Sequence, residues 1–170
     1  MGRPPFTEVA TLGDVLLRAA HERPDRAALV LPSQAATFAE LRAVATRVAR
    51  SLAALGVKPG EQVALLVPNC TEFAAALFGI SLIGAVAVPL NVRNRATELR
   101  FIIANSQAVA LITSSHADDP VDFVATLNDA LSASEPTHAS VLRHRLLIRG
   151  EGHDDFMGAA EFLALSEQVS

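Results

Sequence analysis

From Glu61 to Asn91 the chain reads EQVALLVPN, CTEFAAALFGISLIG and AVAVPLN in succession. Val63 to Val67 is apolar at every position. A strand without polar alternation is buried on both faces, as in a parallel sheet covered by helices. After Pro68, Asn69 and Thr71 supply helix-start chemistry. Phe73, Leu77, Ile80 and Ile83 then recur at helical spacing and predict one buried stripe. Gly84 follows that stripe where glycine best accepts a left-handed stop. Val86 to Val88 begins a second apolar strand. The stretch therefore reads as a βαβ unit, with a right-handed crossover expected.

The flanking text repeats the alternation. Thr11 and Asp14 make a capping-box-like start, and Leu12, Val15, Leu16 and Ala19 predict the stripe of a helix ending before Pro24. Ala27 to Leu31 reads as a short strand and Pro32-Ser33 as a turn. Thr37 and Glu40 form a second capping box. Behind it, Phe38, Leu41, Val44, Ala45, Val48, Leu52 and Leu55 share one helical stripe. After Asn91, a helix from about Thr97 to Asn105 buries Leu99, Ile102 and Ile103. Val109 to Ile112 is a third apolar strand. Asp118 to Ala133 has helical spacing, Ser132 to Ala139 reads as a loop, and Val141 to Ile148 as the last strand. Glu151 to Asp155 is an acidic, flexible stretch, and Ala159 to Leu165 a short terminal helix. The expected fold class is α/β, a layered domain with a mostly parallel sheet flanked by helices. Residues 1–10 read as a tail and 11–170 as one α/β domain.

Composition removes several classes of function. A 51% hydrophobic share with 19% charged residues excludes a disordered chain. No apolar run approaches the ~20 residues of a membrane span, and MGRPPFTEVA has no secretory apolar core. One cysteine allows no internal disulfide, which points to a cytoplasmic protein. A net charge of −4 with no tryptophan or tyrosine argues against nucleic acid as partner.

The candidate reactive groups mostly have ordinary readings. Gly79-x4-Gly84 precedes Ala85-Val86 rather than Lys and Ser/Thr, so it is no phosphate loop. Gly79 reads as a helix contact point. The histidines at 21, 116, 138, 144 and 153 show no metal-ligand spacing with each other or with Cys70. Cys70 sits at a helix start, which would lower a thiol pKa, but no nucleophile arrangement surrounds it. Asp118-Asp119 and Asp154-Asp155 read as helix-start charges and solvated loops. No catalytic or metal residue is identified. Arg93 and Arg95 follow a strand's carboxyl end, where ligands of open α/β sheets bind.

The ordered set of motifs resembles the adenylate-forming enzymes, which include acyl-CoA and aryl-CoA synthetases, peptide-synthetase adenylation domains and luciferases. It consists of VALLVPN and GAVAVPLN, the string Thr37-Phe38-Ala39-Glu40-Leu41, and the run Leu55-Gly56-Val57-Lys58-Pro59-Gly60-Glu61-Gln62-Val63. Glu98-Leu99 through Ile112 continues it, and the resemblance covers roughly 11–113. Phe38 replaces the family's tyrosine and Glu61 its aspartate. The family's phosphate loop ending Pro-Lys-Gly, its Tyr-Gly-x-Thr-Glu segment, its ribose-binding aspartate and its catalytic lysine are not in this sequence. The resemblance therefore implies the front portion of an acyl-CoA synthetase of fatty-acid–CoA ligase type. Such an enzyme uses ATP, Mg²⁺ and CoA, and this portion is expected to bind none of them. Leu90, Asn91, Val92 and Arg93 are implied to line the CoA passage. The implied partners are the remaining subdomains of the same enzyme and a carboxylic or fatty acid. Self-association through an exposed apolar face is a further expectation. A non-catalytic binding module, or a piece of a peptide-synthetase adenylation domain, stands as the alternative.

Overall fold

The computed structural model describes residues 11–132, 141–153 and 155–169. The tail, His138 and most of the loop read over Ser132 to Ala139 lie outside these described residues.

The elements run α1 (Leu12–Glu22), β1 (Ala27–Val30), β2 (Ala35–Thr37), α2 (Phe38–Ala54), β3 (Gln62–Leu66), α3 (Thr71–Leu82), β4 (Val86–Pro89) and α4 (Ala96–Ser106). They continue with β5 (Ala110–Ser114), α5 (Phe123–Ser132), β6 (His144–Arg149), α6 (Ala159–Ala164) and a 3₁₀ turn, Leu165–Gln168. The main sheet has the order β4-β3-β5-β6, and every pairing in it is parallel. The three apolar strands read from sequence are thus neighbours in one parallel sheet. β3 and β5 lie in its centre, and all five residues of β5 are buried.

Side chains alternate between two cores. Val63, Leu65 and Ile112 point into one with Val48, Leu52, Ile80 and Phe162, so α2, α3 and α6 cover that face. Ala64, Leu66 and Leu111 point into the other with Leu99, Phe123 and Leu127, so α4 and α5 cover the opposite face. A third cluster, Leu16, Leu41, Ala45 and Ala75, lies on the far side of α2 and α3, with Ala28 and Leu29 of β1 packed against it. Burying each large apolar side chain contributes about 1.5–3 kcal/mol, against roughly 1 kcal/mol for a cap. Packing therefore makes these helices, while the capping boxes at Thr11/Asp14 and Thr37/Glu40, both formed, set where α1 and α2 begin. The hydrogen bond from the Thr37 backbone N–H holds the Glu40 carboxyl below its ordinary pKa.

Helix α3 departs from its expected stripe. Ala75, Ala76, Gly79 and Ile80 are buried, whereas Phe73, Leu77 and Ile83 are only half-buried. The cause is close approach to α2. A Cβ on Gly79 would lie 2.7 Å from Val48 Cγ1 and 2.8 Å from the Ala45 carbonyl oxygen. Only small residues fit there, so Gly79 is the contact point expected of it. Helix α1 turns its face in the same way: Gly13, Leu16 and Ala20 are buried, while Leu12 and Val15 are exposed. The Gly13 N–H donates to Ser81 Oγ at 3.0 Å, which seats α1 on the end of α3.

Two helix ends are closed the same way. Gly84 has φ +72°, its N–H donates to the Ser81 carbonyl, and the Ala85 N–H donates to the Ile80 carbonyl. Gly56, at φ +79°, does the same with Ala53, while Val57 reaches Leu52. Both are Schellman closures.

The sheet's edges are blocked. Val86 and Leu90 donate to Glu61 and Leu65 of the β3 segment, so the alternate residues Ala87 and Pro89 face outward. Pro89 has no N–H to offer a further strand. At the other edge Met157 forms a bridge with Leu146, giving its N–H to Arg145 and accepting that of Leu147. Asp155, in the stretch expected to be flexible, pairs with Arg145 at 2.9 Å.

Two further boundaries moved. Helix α5 starts at Phe123 rather than Asp118, because Pro120 interrupts and Asp122 Oδ1 accepts the Ala125 N–H as its cap. The last strand starts at His144 rather than Val141. Strand β2 was not foreseen at all.

Two substitutions test this packing. Gly84→Val should destabilise the chain by more than ~1 kcal/mol, since a β-branched residue tolerates positive φ badly. An unchanged urea midpoint and slope would refute the left-handed closure. Ser51 Oγ is buried without a hydrogen-bond partner among the described residues. Ser51→Ala is accordingly expected to stabilise by up to about 1 kcal/mol, read from the same urea midpoint.

Candidate functional site

The order β4-β3-β5-β6 means the chain leaves β3 in one direction and later fills in on its other side. The carboxyl ends of β3 and β5 therefore flank the topological switch point, where open α/β sheets bind ligands. Four segments meet this edge: 67–70 after β3, 90–95 after β4, 115–122 after β5, and 150–153 with 155–158 after β6.

The segment after β4 holds the residues singled out in the sequence. Leu90 is buried and donates its N–H to the Leu65 carbonyl, which prolongs the β4–β3 ladder. Val92 packs half-buried against the core of α4 and α5. Asn91 is exposed; its Oδ1 accepts the Arg93 N–H at 3.0 Å and its carbonyl accepts the Asn94 N–H. This tight turn presents Arg93 and Arg95 outward, both exposed. Of the four candidates, then, only Asn91 and Arg93 offer side chains to a ligand. Beyond them, a shallow groove of about 490 Å³ runs along Asn94, Thr97, Glu98, Phe101 and Ile102.

The segment after β5 is built around Asp119. Its carboxylate accepts from Ser114 Oγ at 2.6 Å and the His116 N–H at 2.8 Å, and it faces Arg149 Nη1 at 3.4 Å. Only 4% of the Asp119 side chain and 13% of Arg149 is exposed. Asp119 is therefore not the solvated loop charge its neighbour Asp118 turned out to be; the internal donors make its burial affordable. Thr113 Oγ1 donates to the Leu66 carbonyl at 2.7 Å and ties β5 to β3 at the switch point. Ser114, Ser115, His116, Asp119 and Asp122 line a cleft of about 340 Å³. Ser115 Oγ lies 3.0 Å from His153 Nε2, a contact between the segments after β5 and β6.

Each helix start facing this edge has a backbone N–H engaged within the chain. The N-cap of α3 is Cys70, which makes no side-chain cap, so Asn69 and Thr71 do not begin the helix as expected. Gln34, in the β1–β2 turn, does so instead: its Oε1 accepts the Thr71 N–H at 3.0 Å. Glu98 accepts the Arg95 N–H at α4, and Asp122 caps α5. A triphosphate needs a glycine-rich cradle of open backbone donors, and no glycine stands at these helix starts in 67–71, 90–98 or 115–125. Exposed arginines suit phosphate groups in general. Burial pushes the Cys70 thiol above its ordinary pKa, opposite to the lowering that a helix start alone suggests. Among the described residues no group of three His, Cys, Asp or Glu side chains is placed to hold a metal ion.

The Gln34–Thr71 contact and the Ser114–Asp119–Arg149 cluster had no sequence signal, because their members are up to 37 residues apart without a fixed period.

Fold and edge together define an open, parallel α/β domain with an arginine-bearing turn beside the switch point. The chain belongs to the AMP-binding enzyme family, whose model matches residues 16–159. It is 39% identical over 93 residues to the long-chain-fatty-acid–CoA ligase FadD13 of Mycobacterium tuberculosis, a match covering 55% of this chain and 18% of that one. It is 40% identical over 79 residues to the crotonobetaine/carnitine–CoA ligase of Escherichia coli, covering 46% and 15%. Among solved structures, the N-terminal domain of FACL13 from M. tuberculosis matches with TM-score 0.72 and 29% identity over 95% of this chain and 37% of that one. A M. tuberculosis fatty acyl CoA synthetase matches with TM-score 0.71 and 30% identity over 94% and 28%. The chain thus spans less than a fifth of these two curated relatives.

Gln34→Ala should destabilise by about 1 kcal/mol, the usual worth of a helix cap, while Gln34→Glu keeps the acceptor and should retain most of the stability. A thermal midpoint equal to wild type in Gln34→Ala would mean that the contact contributes nothing.

Proposed function

We propose that this chain is the front portion of an ATP-dependent acid–CoA ligase of fatty-acid type, working in the cytoplasm. The reaction joins a carboxylate to ATP, giving an acyl-adenylate and pyrophosphate, after which the CoA thiol takes the acyl group. The family match over 16–159 carries this reading, and the fatty-acid and carnitine CoA ligases among the relatives support the thiol acceptor. Mg²⁺ would supply charge neutralisation at the phosphates. The residues of this portion would contribute the sheet and its carboxyl-edge loops. Asn91 would hold the turn through its bond to the Arg93 N–H, and Arg93 would face the CoA nucleotide along its passage past Leu90 and Val92.

The chain by itself is proposed to be inactive. Its single lysine, Lys58, lies in the loop before β3, at the sheet's opposite end, and Pro59 beside it has no N–H to donate. At the carboxyl edge each helix start already gives one backbone N–H to an acceptor oxygen, on Gln34, Glu98 or Asp122, and none carries a glycine. Micromolar affinity needs about −8.2 kcal/mol, which two exposed arginines do not supply. The same incompleteness would let the chain self-associate through apolar surface.

Titration calorimetry with MgATP and an acid-dependent pyrophosphate-release assay test this on the 170-residue chain. Neither saturable micromolar heat nor turnover is expected. Either one would place catalytic groups within this sequence. The coding sequence read past Ser170 should reach a glycine-rich loop ending Pro-Lys-Gly, and the longer protein should activate an acid in a CoA-dependent way. A natural stop at Ser170 would favour a non-catalytic module.

A further inference from the structure

We infer that the outer face of α2 is a docking surface for an acidic helix of a partner protein. The arginines of the chain divide by what they touch. Among the described residues, Arg18, Arg143, Arg145 and Arg149 pair with carboxylates, and Arg100 donates to the Ala130 carbonyl. Arg93 and Arg95 stand at the carboxyl edge of the sheet. The other five, Arg23, Arg26, Arg42, Arg47 and Arg50, are exposed, and their side chains make no hydrogen bond or ion pair among the described residues. These five gather along α2. The Phe38 N–H donates to the Arg26 carbonyl, which sets Arg26 at the start of the helix. Arg42, Arg47 and Arg50 follow within about 18 Å of its length. Residues 18–50 hold six arginines against three acids, while the rest of the chain holds eight lysines and arginines against 15 acids. Positive charge is thus concentrated here in a chain of net charge −4. Glu40 is the one acid of α2, and its carboxylate is held by Thr37.

The shape of the face selects its occupant. Ala39, Ala43, Thr46 and Arg50 recur at spacings of four, three and four, so they form one seam along the helix. Arg42 and Arg47 flank that seam on either side. Small seam residues let a second helix approach closely, as Gly79 lets α3 approach another face of α2. Charges flanking a helix seam choose the partner, and arginines choose glutamate or aspartate. No large apolar or aromatic side chain is exposed on α2, which leaves nothing to enter a bilayer or to stack on a base. A second copy of this chain does not fit either, because no helix among the described residues carries more than two acids. Three exposed ion pairs are individually weak, so the contact is salt-sensitive and short-lived.

The probe is a helical peptide of alanine-seam heptads with glutamate at both flanking positions. It is titrated into this chain at low salt and followed by the amide NMR shifts of α2. Saturable shifts confined to residues 39–50 and their neighbours are expected, fading as salt is raised. The same peptide with lysine at the flanking positions should shift nothing. Replacing all three flanking and seam arginines (Arg42→Gln, Arg47→Gln, Arg50→Gln) should weaken binding at least about tenfold. Ala43→Leu fills the seam and leaves the charges in place, and it should weaken binding by a similar factor. Both variants change exposed side chains, so their urea midpoints should match the wild type. No saturable shift, or equal binding by either variant, overturns the inference. So does binding to phosphatidylserine vesicles in place of the peptide, which would assign the face to a lipid surface. So does peptide binding that is present in this chain and lost in a longer protein encoded past Ser170, since later segments of the same protein would then cover the face. None of these outcomes bears on the ligase reading, on which the inference does not rest.

Discussion

The fit of α3 against α2 is the constraint on which the rest of this structure depends. At Gly79 the two helices approach so closely that a single added methyl would overlap Val48 and the Ala45 backbone. That approach lets α3 sit between layers. Its Ile80 and Ala76 complete the core over β3 and β5, while Ala75 turns to the opposite cluster with Leu16 and Leu41. Its last turn receives α1 through Ser81, and its first turn receives the hairpin through Gln34. α1 and the hairpin are thus fastened to α3, a helix that is apolar on nearly every side, while α2 packs on the sheet directly.

The two ends of the sheet have different characters. At the amino end, Glu61 accepts the Lys58 N–H and both oxygens meet Arg143, which joins the start of β3 to the approach to β6. The Lys58 N–H, followed by Arg143, keeps the Glu61 carboxyl below its ordinary pKa. Burial, with Arg143 nearby, pushes His144 down, favouring its neutral form at that edge. These contacts hold strands in register. At the carboxyl end the arginines at 93 and 95 face solvent, and an internal cluster around Asp119 stiffens the loop after β5. Rigid strands that carry loops at their carboxyl ends suit ligand binding, with specificity set by whatever faces that edge.

The main sheet was legible because its signal is local and redundant. Val63 to Val67 and Val109 to Ile112 are apolar at each position, capping boxes mark α1 and α2, and Gly84 stands where a Schellman closure requires positive φ. Each of these depends on neighbours within about five residues. The stripe of α3 was misread because its inward face is chosen by volume: small residues meet α2 more closely than Phe73 or Leu77 would allow. Leu12 and Val15 were misplaced for a related reason, since Gly13 is what lets α1 meet Ser81 and Leu82. Of the candidate site, the position of Arg93 beside a strand's carboxyl end could be read from spacing. Leu90 and Val92 pack inward while Asn91 and Arg93 face out, an apolar/polar alternation that is itself present in the sequence.

By itself, then, the sequence determined the layered α/β class, the parallel neighbours, most element boundaries and, through ordered short motifs, the resemblance to the AMP-binding enzyme family; the first three rest on periodicity. Only the tertiary structure decided that Gln34 rather than Asn69 or Thr71 closes α3, that Asp119 is buried against Arg149 while Asp118 is solvated, and that a second, two-stranded sheet lies beyond α2 and α3. The physical reason is common to the first two. A hydrogen bond or ion pair between distant residues leaves no period in the chain, and it becomes favourable only after packing has removed water from around its partners.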